Sequence, residues 1–370
     1  MIQEKSPTPN STQLLVNELL LSENSGLNDY YSSVFWDHLN NLHEYHSANS
    51  AEYRLISQHF TSPHPDSFLP FVPVSLFKSY DLKSIPDHLI YRVLLSSGTT
   101  GQAPSRIFLD RVNSKHQQIA LSSLFTVNTN LSRPNILILD TPATASRQAP
   151  FSARKAGILG FSSLCRKSFY GLKDDYTIDY NSVESAINSS HQLLVFGFTY
   201  IAYQYFLNQL NSFPQLPSDL KVVFLHGGGW KKLLSLSITI PQFNELVTHK
   251  THIQHVVNYY GMVEQTGSLF FECPHGYMHT NHLASLIPRN VDTLSPDLSV
   301  GEHLRVAQVL SALPTSYPGH SILTDDLVSI QFPVNSCSCG MRGLTFKIHG
   351  RLPKSEQRGC SDTHQTVQRS

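Results

Sequence analysis

The chain has 370 residues, with 27 basic against 27 acidic side chains and 40% hydrophobic residues, enough to bury a sizeable core. A charged fraction of 15% is low for a disordered chain, and the balanced charge excludes a global basic field for nucleic acid or an anionic membrane. No apolar run reaches the length of a membrane span, and the polar opening MIQEKSPTPNSTQ lacks the basic and apolar stretches of a secretory signal, so a cytoplasmic protein is expected.

Residues 12–22 and 27–47 carry apolar side chains at helical spacing, among them Leu14, Leu15, Leu19, Phe35, Leu39 and Leu42. A proline-rich connection follows, from Pro63 to Pro73. Short apolar runs at 89–95, 135–139, 193–198, 221–225 and 255–259 then read as buried strands. Helices are expected between them at 180–187, 201–210 and 241–248, the last with Pro241 as a helix starter. This alternation predicts an α/β fold with a doubly wound, mainly parallel sheet. After residue 265 the helical pattern stops, and SLFFEC, HLASLI, EHLRVAQVL and HSILTDDLVSIQF read as strands joined by tight turns, a small antiparallel β subdomain. The expected division is a helical segment at 1–80, an α/β body at 81–265, a β-rich subdomain at 266–349 and a tail at 350–370.

Four motifs carry chemistry. Ser96-Ser97-Gly98-Thr99-Thr100-Gly101-Gln102-Ala103-Pro104 follows the apolar run YRVLL; its glycines expose backbone N–H groups and its hydroxyls surround them, a composition suited to a polyphosphate. No Lys follows the second glycine, so it is not a Walker A loop. The second motif, NYYGMVEQTG at 258–267, follows the strand HIQHVV. Tyr260 and Gly261 offer a face and space for adenine, and Glu264 offers oxygen to Mg²⁺. The third is His226-Gly227-Gly228-Gly229-Trp230, where glycines permit close approach of a flat ligand. The fourth is Thr324-Asp325-Asp326-Leu327, whose Asp326 could accept from ribose hydroxyls. Taken singly, each is equally readable as a polar turn or a core position.

In this order the four resemble the acyl-adenylate-forming superfamily of acyl- and aryl-CoA ligases, peptide-synthetase adenylation domains and firefly luciferase. Gly350-Arg351 matches that family's hinge motif, and the resemblance assigns Arg351 to ribose with Asp326. Two positions depart from it: Ser105 stands where the family has Lys, and Val263 where it has Thr. The sequence ends some twenty residues after Arg351, so the family's mobile C-terminal domain is not expected. SSGTTGQAPSRIFLD, HGGGWKK, YYGMVEQTGSLFFECPHGYMH, YPGHSILTDDL, CSCG and GRLPKSEQRGCSD are similar to the acyl-protein synthetase branch, which belongs to the bacterial bioluminescence fatty acid reductase complex.

That resemblance implies ATP and Mg²⁺ as cofactors, with Ser97, Gly98, Thr99, Thr100 and Gly101 on the phosphates, and a fatty acid as substrate. It also implies acyl transfer to Cys360 in Arg358-Gly359-Cys360-Ser361-Asp362 and delivery to an acyl reductase-like protein, with neither nucleic acid nor membrane span involved. A thiol beside Gly359 with Arg351, Lys354 and Arg358 nearby in sequence also suits thiolate chemistry. Phe196, Phe198, Tyr200, Met262 and Phe270 are candidates for the acyl pocket. Alternatives are an aryl- or acyl-CoA-ligase-like activator serving polysaccharide or natural-product assembly, and a non-catalytic scaffold of the same fold.

Five cysteines, an odd count, suggest reduced thiols, and four of them lie in the last hundred residues. Cys273, His279, Cys337 and Cys339 make a Cys₃His set of the kind that binds structural Zn²⁺; buried reduced thiols are the alternative. Cys165 reads as a core residue. The other histidines, of 19 in all, form no cluster along the sequence.

Overall fold

The structure is a computed structural model that describes Val16 and residues 33–59, 69–96, 104–149, 152–228 and 238–352. In chain order the strands are β1 (Val72–Pro73), β2 (Arg92–Leu95), β3 (Arg106–Leu109), β4 (Asn135–Ile138), β5 (Ser168–Tyr170), β6 (Gln192–Phe198), β7 (Lys221–Gly227) and β8 (Val256–Tyr260). They continue as β9 (Phe270–Glu272), β10 (Met278–His279), β11 (Ala284–Asn290), β12 (Gly301–Ser311), β13 (Ser321–Phe332) and β14 (Thr345–Arg351). The described residues form two compact units, one including residues 33–59, 69–96, 104–121 and 261–352, the other residues 122–149, 152–228 and 238–260. Among them no helix is long and apolar enough to cross a membrane.

The second unit is a parallel ladder in the order β5-β4-β6-β7-β8. Its inner strands carry continuous apolar runs because both faces are covered there: Ile136–Ile138, Leu193–Phe196 and Phe224–Leu225 are buried. Helix Tyr180–Asn188, packed on β4 and β5, starts where the Asp179 carboxylate accepts from the Ser182 N–H at 3.0 Å. Helix Ile240–Thr251 begins with a capping box between Thr239 and Gln242 and Pro241 in its first turn. It stops at His252, which adopts the left-handed conformation at φ 61°. The stretch expected as one helix from residue 201 is instead a short α-turn, Thr199–Ile201, continued by a π-turn, Ala202–Leu207. Close to it, Arg154 and Asp140 form a fully buried ion pair: the Arg154 Nε donates to Asp140 Oδ2 at 3.0 Å, and Asp140 Oδ1 also accepts from the Thr141 N–H and the Thr144 hydroxyl.

The first unit carries the antiparallel ladder β11-β12-β13-β14-β10-β9, with β1 added parallel to β13. Tyr53, Val72, Phe77, Leu82, Ile107, Leu109, Tyr317 and Ile322 form one of its cores; each side chain of this size stabilises by roughly 1.5–3 kcal/mol on burial. Helix Ser33–Asn49 docks through polar contacts as well as Phe35, Leu39 and Leu42, since its inward face also carries His38 and His46. The run at 89–95 is not a buried strand of the parallel sheet. Among the described residues, 92–95 pair only with β3 in a two-stranded antiparallel sheet, where Tyr91 and Val93 are exposed and Arg92 and Arg106 are at the surface.

Candidate active site

Glu264 sits on a single 3-10 turn, Val263–Gln265, immediately after the second sequence motif. The turn is held from both sides. The Gln265 amide donates to the carbonyls of Val309 (3.0 Å) and Gly319 (2.8 Å), and the Tyr317 hydroxyl donates to the carbonyl of Glu264 itself at 2.7 Å. The Glu264 carboxyl is buried, which raises its pKa above the usual carboxylate value. The Ser105 hydroxyl and the Arg351 guanidinium pull it back, and the Asp326 charge raises it further. Ser105 is itself fully buried, and its hydroxyl acts on the Glu264 carboxyl.

Asp326 and Arg351, whose charges act on this carboxyl, come from neighbouring strands. They are cross-strand partners in the β13–β14 register, and the Arg351 Nε donates to Asp326 Oδ1 at 3.0 Å. The register shifts between Leu327 and Val328, and Gly350, beside the shift, has φ 107°. The Asp326 N–H is taken by the Thr324 hydroxyl, and the Leu352 N–H by the Asp325 carbonyl. Two carboxylates and a guanidinium, named separately from three motifs, therefore act on one another electrostatically. Two hard oxygen donors there suit Mg²⁺, and a bound cation would favour the ionised form of Glu264 that burial disfavours.

In the second unit, Gly227 ends β7 and Gly228 follows at φ 85°. A side chain at Gly227 would meet the ring of Tyr259, 2.5 Å from a Cβ placed there, so this backbone can lie against the ring only as glycine. His226, fully buried, fixes the approach to the turn. Its Nδ1 is 2.9 Å from the Thr199 hydroxyl, its Nε2 is 3.1 Å from Asn244 Oδ1, and Thr199 also donates to the Gly227 carbonyl. Burial drives the His226 pKa down to about 3, so it is neutral. Tyr260 is the last residue of β8 and half-buried; Gly261, next in the chain, lies against Leu269 in the first unit.

The Cys₃His set assembles in the first unit. One donor atom each from Cys273, His279, Cys337 and Cys339 lies within 4.8 Å of the others, and Cys339 Sγ is 3.4 Å from His279 Nε2. A tetrahedral zinc site with bonds of ~2.1–2.3 Å places its donors about 3.5 Å apart, so this arrangement fits one cation after small side-chain shifts. The other ring nitrogen, Nδ1, lies 3.3 Å from the Arg342 carbonyl, the outer contact that leaves Nε2 for a metal. The Met341 N–H points at Cys339 Sγ at 3.3 Å. Burial, with Cys337 and Cys273 beside it, pushes the Cys339 thiol up to about 12. Three sulfurs and an imidazole at this range could hold a metal.

Residues 34–367 match the protein family described as Acyl-protein synthetase, LuxE. The chain belongs to this family. None of the curated proteins compared with it matches. Among solved structures it resembles a 2-hydroxyisobutyryl-CoA ligase in the postadenylation state in complex with 2-HIB-AMP, at 14% identity and TM-score 0.61, covering 94% of this chain and 69% of that one. An open conformation of that ligase, in complex with 2-HIB-AMP and CoA, matches at 12% identity and TM-score 0.63, over 87% of this chain and 70% of that one. At such identities the likeness is one of fold, and it agrees with the expected α/β architecture of a mainly parallel sheet plus antiparallel strands.

In this LuxE-family chain the sequence-named residues are placed unevenly. Glu264, Asp326 and Arg351 come together, as do Cys273, His279, Cys337 and Cys339. Ser97, Gly98, Thr99, Thr100, Gly101, Gly229 and Cys360 lie outside the described residues. Of the pocket candidates, Phe196 and Phe198 pack on each other, and Phe196 packs on Phe161, with ring centroids 6.0 and 4.7 Å apart. Phe270 meets Phe346 edge-on, Tyr200 meets Tyr205, and Met262 packs on the core around Tyr317. Sequence reasoning missed Tyr317 and His226 as holders of site backbone. Their signal was slight: each stands next to a glycine or proline in a motif singled out for other residues.

Proposed function

We propose that this chain activates a fatty acid as an acyl-adenylate, with ATP and Mg²⁺, and carries the acyl group on Cys360 to a protein partner. One observation carries the first half: Glu264, Asp326 and Arg351, drawn from three separated motifs, act on one another electrostatically in the folded chain. A carboxylate oxygen of the acid attacks the α-phosphorus, the bond to pyrophosphate breaks, and acyl-AMP forms. Mg²⁺, when bound, supplies positive charge that offsets the charge developing on the phosphates. Glu264 and Asp326 offer the oxygens that would hold it, and Arg351 and Asp326 are placed to hold ribose. Adenine is proposed to lie against the glycine turn at Gly227 and Gly228 and the Tyr260 ring. Positioning and charge stabilisation together carry the rate.

Transfer to Cys360 uses the thiolate as nucleophile: the new C–S bond forms as the acyl–O bond breaks and AMP leaves. The Leu352 N–H is tied to the Asp325 carbonyl, beside the Asp326–Arg351 pair. Cys360 follows eight residues later, a contour of at most about 28 Å, compatible with a thiol that serves the adenylate. The donor set of Cys273, His279, Cys337 and Cys339 fits a structural Zn²⁺ that would tie β10 to the 337–340 turn ahead of β14.

The test is pyrophosphate exchange into ATP with saturated acids of several lengths, followed by labelling with radioactive acid. Exchange that appears with fatty acids, falls about a hundredfold in Glu264→Ala and is retained in Cys360→Ser supports the reading. Wild-type label should be released by neutral hydroxylamine and should be absent from Cys360→Ser. Absence of exchange with every acid refutes the adenylation, and hydroxylamine-sensitive label persisting in Cys360→Ser refutes the carrier.

A further inference from the structure

Residues 312–320, ALPTSYPGH, run from the end of β12 to the start of β13 as a strap beside the Glu264 turn. The strap is fastened along its length. His38 and His46 donate through Nε2 to the carbonyls of Ala312 (2.8 Å) and Pro314 (3.0 Å). Asn113 donates to the Leu313 carbonyl at 2.7 Å, and its Oδ1 is 2.8 Å from the Ser316 hydroxyl. The Ser84 N–H closes on the Ser316 carbonyl at 2.8 Å, and the Ser311 N–H on that of His320 at 2.9 Å.

A strap held this firmly can act as a fixed reference for what it touches, and it touches the Glu264 turn at two points. One is the Tyr317 hydroxyl on the Glu264 carbonyl, the other the Gly319 carbonyl under the Gln265 amide. The Tyr317 ring is fully buried, edge-on to Phe77 at 6.3 Å. Gly319 folds tightly against that ring: a Cβ there would stand 2.2 Å from Tyr317 Cε2 and 3.0 Å from the Glu264 carbonyl oxygen. A glycine at this point lets the ring reach the turn. A 3-10 turn of three residues has little rigidity of its own, so the direction in which the Glu264 side chain leaves the backbone depends on what grips its carbonyl.

We infer that Tyr317 is a positioning residue for Glu264: its hydroxyl fixes the 263–265 turn and so aims the carboxylate that holds Mg²⁺. The inference rests on the reading of Glu264 given above. It assigns a role to a residue that acts through the backbone of the turn, and it predicts a defect in metal use that general loosening of the fold would not produce.

The experiment compares wild type, Tyr317→Phe and Glu264→Ala in pyrophosphate exchange, each titrated with Mg²⁺, with thermal midpoints measured alongside. Phenylalanine keeps the ring against Phe77 and removes only the hydroxyl. Loss of one buried hydrogen bond at the turn should lower exchange about tenfold and raise the Mg²⁺ concentration for half-maximal exchange by a similar factor. The KM for the fatty acid should stay within about twofold. If Glu264→Ala is impaired but Tyr317→Phe has wild-type Mg²⁺ dependence, Tyr317 is structural and the inference fails, even if its midpoint falls. If Glu264→Ala is silent, the reading of Glu264 fails and takes this inference with it.

Discussion

Acidification from pH 7 to pH 5 puts protons on histidines that the fold keeps neutral. His38, His46 and His320 are all fully buried in the first unit, with His46 and His320 stacked at 5.0 Å. Burial lowers the His38 pKa to about 4 and that of His46 to about 3, and holds His320 well below its ordinary value. The charges acting on these three are those of other histidines, His43 and His116 among them, which oppose protonation too. Asp110 acts on His116 and Tyr45 instead. An unfolded histidine titrates near 6.5, so each group contributes stability above that pH, and the contribution drains away as pH falls toward the folded value. The slope is about 1.4 kcal/mol per pH unit for each group. At pH 5 His38 and His46 together remove on the order of 4 kcal/mol, a large part of the stability of a typical domain, and His320 acts in the same direction. Urea midpoints between pH 7.5 and 5 measure this directly. His226 and His282, also depressed by burial, steepen the total, so the decisive comparison is His46→Gln. That variant should be weaker at neutral pH, having lost its contacts to Ser84 and Pro314, yet its stability should fall less steeply with acid, by about 1.4 kcal/mol per pH unit. A slope identical to wild type would refute the assignment.

Other perturbations have equally definite outcomes. Chelator-free preparations should contain about one zinc per chain, and Cys337→Ser should lose the metal and lower the thermal midpoint; a metal-free, fully stable wild type would make the four donors ordinary side chains. Asp140→Asn leaves Arg154 buried without its countercharge, and the unfolding free energy should drop by roughly 3–5 kcal/mol. Gly227→Ala must displace the Tyr259 ring, so ATP affinity in equilibrium binding should fall while the fatty acid KM stays close to wild type. Asp326→Ala removes a charge that raises the Glu264 pKa, so the acid limb of the exchange–pH profile should move to lower pH as exchange weakens.

The parallel strands β4, β6 and β7 were legible because burial on both faces leaves continuous apolar runs, and helix Ile240–Thr251 because Pro241 marks its start in local chemistry; β5, three residues long, was not. Helix Arg111–Thr129 was not. Its exposed positions include Val112, Ile119 and Val127, whereas Asn113, His116 and Gln117 are buried, so its early turns invert the usual apolar stripe. The same inversion hid the histidines. His38 meets a carbonyl 274 residues away, and no spacing in the sequence announces such a partner. Glu264, Asp326 and Arg351 could be named because each sits in a short motif with a chemical reason. Ser105 registered only as a missing lysine, and its place beside the Glu264 carboxyl emerges only once β3 is folded.

The shifted register between β13 and β14 sets the phase of the nucleotide-side pair. Below the shift, Val328 faces Ile348 and Ile330 faces Phe346; above it, Leu327 faces Gly350 and Asp326 faces Arg351. His349 is the residue left over. Were His349 paired in the ladder with no shift, it would stand opposite Leu327 and Asp326 would stand opposite Gly350. One supernumerary residue thus works as a half-step in the strand's alternation, and Gly350, at φ 107°, supplies the kink that absorbs it. Deleting His349 would let Gly350 and Arg351 follow Ile348 in regular register, so Asp326 would still face Arg351 but on a strand without the bulge's added bend and twist.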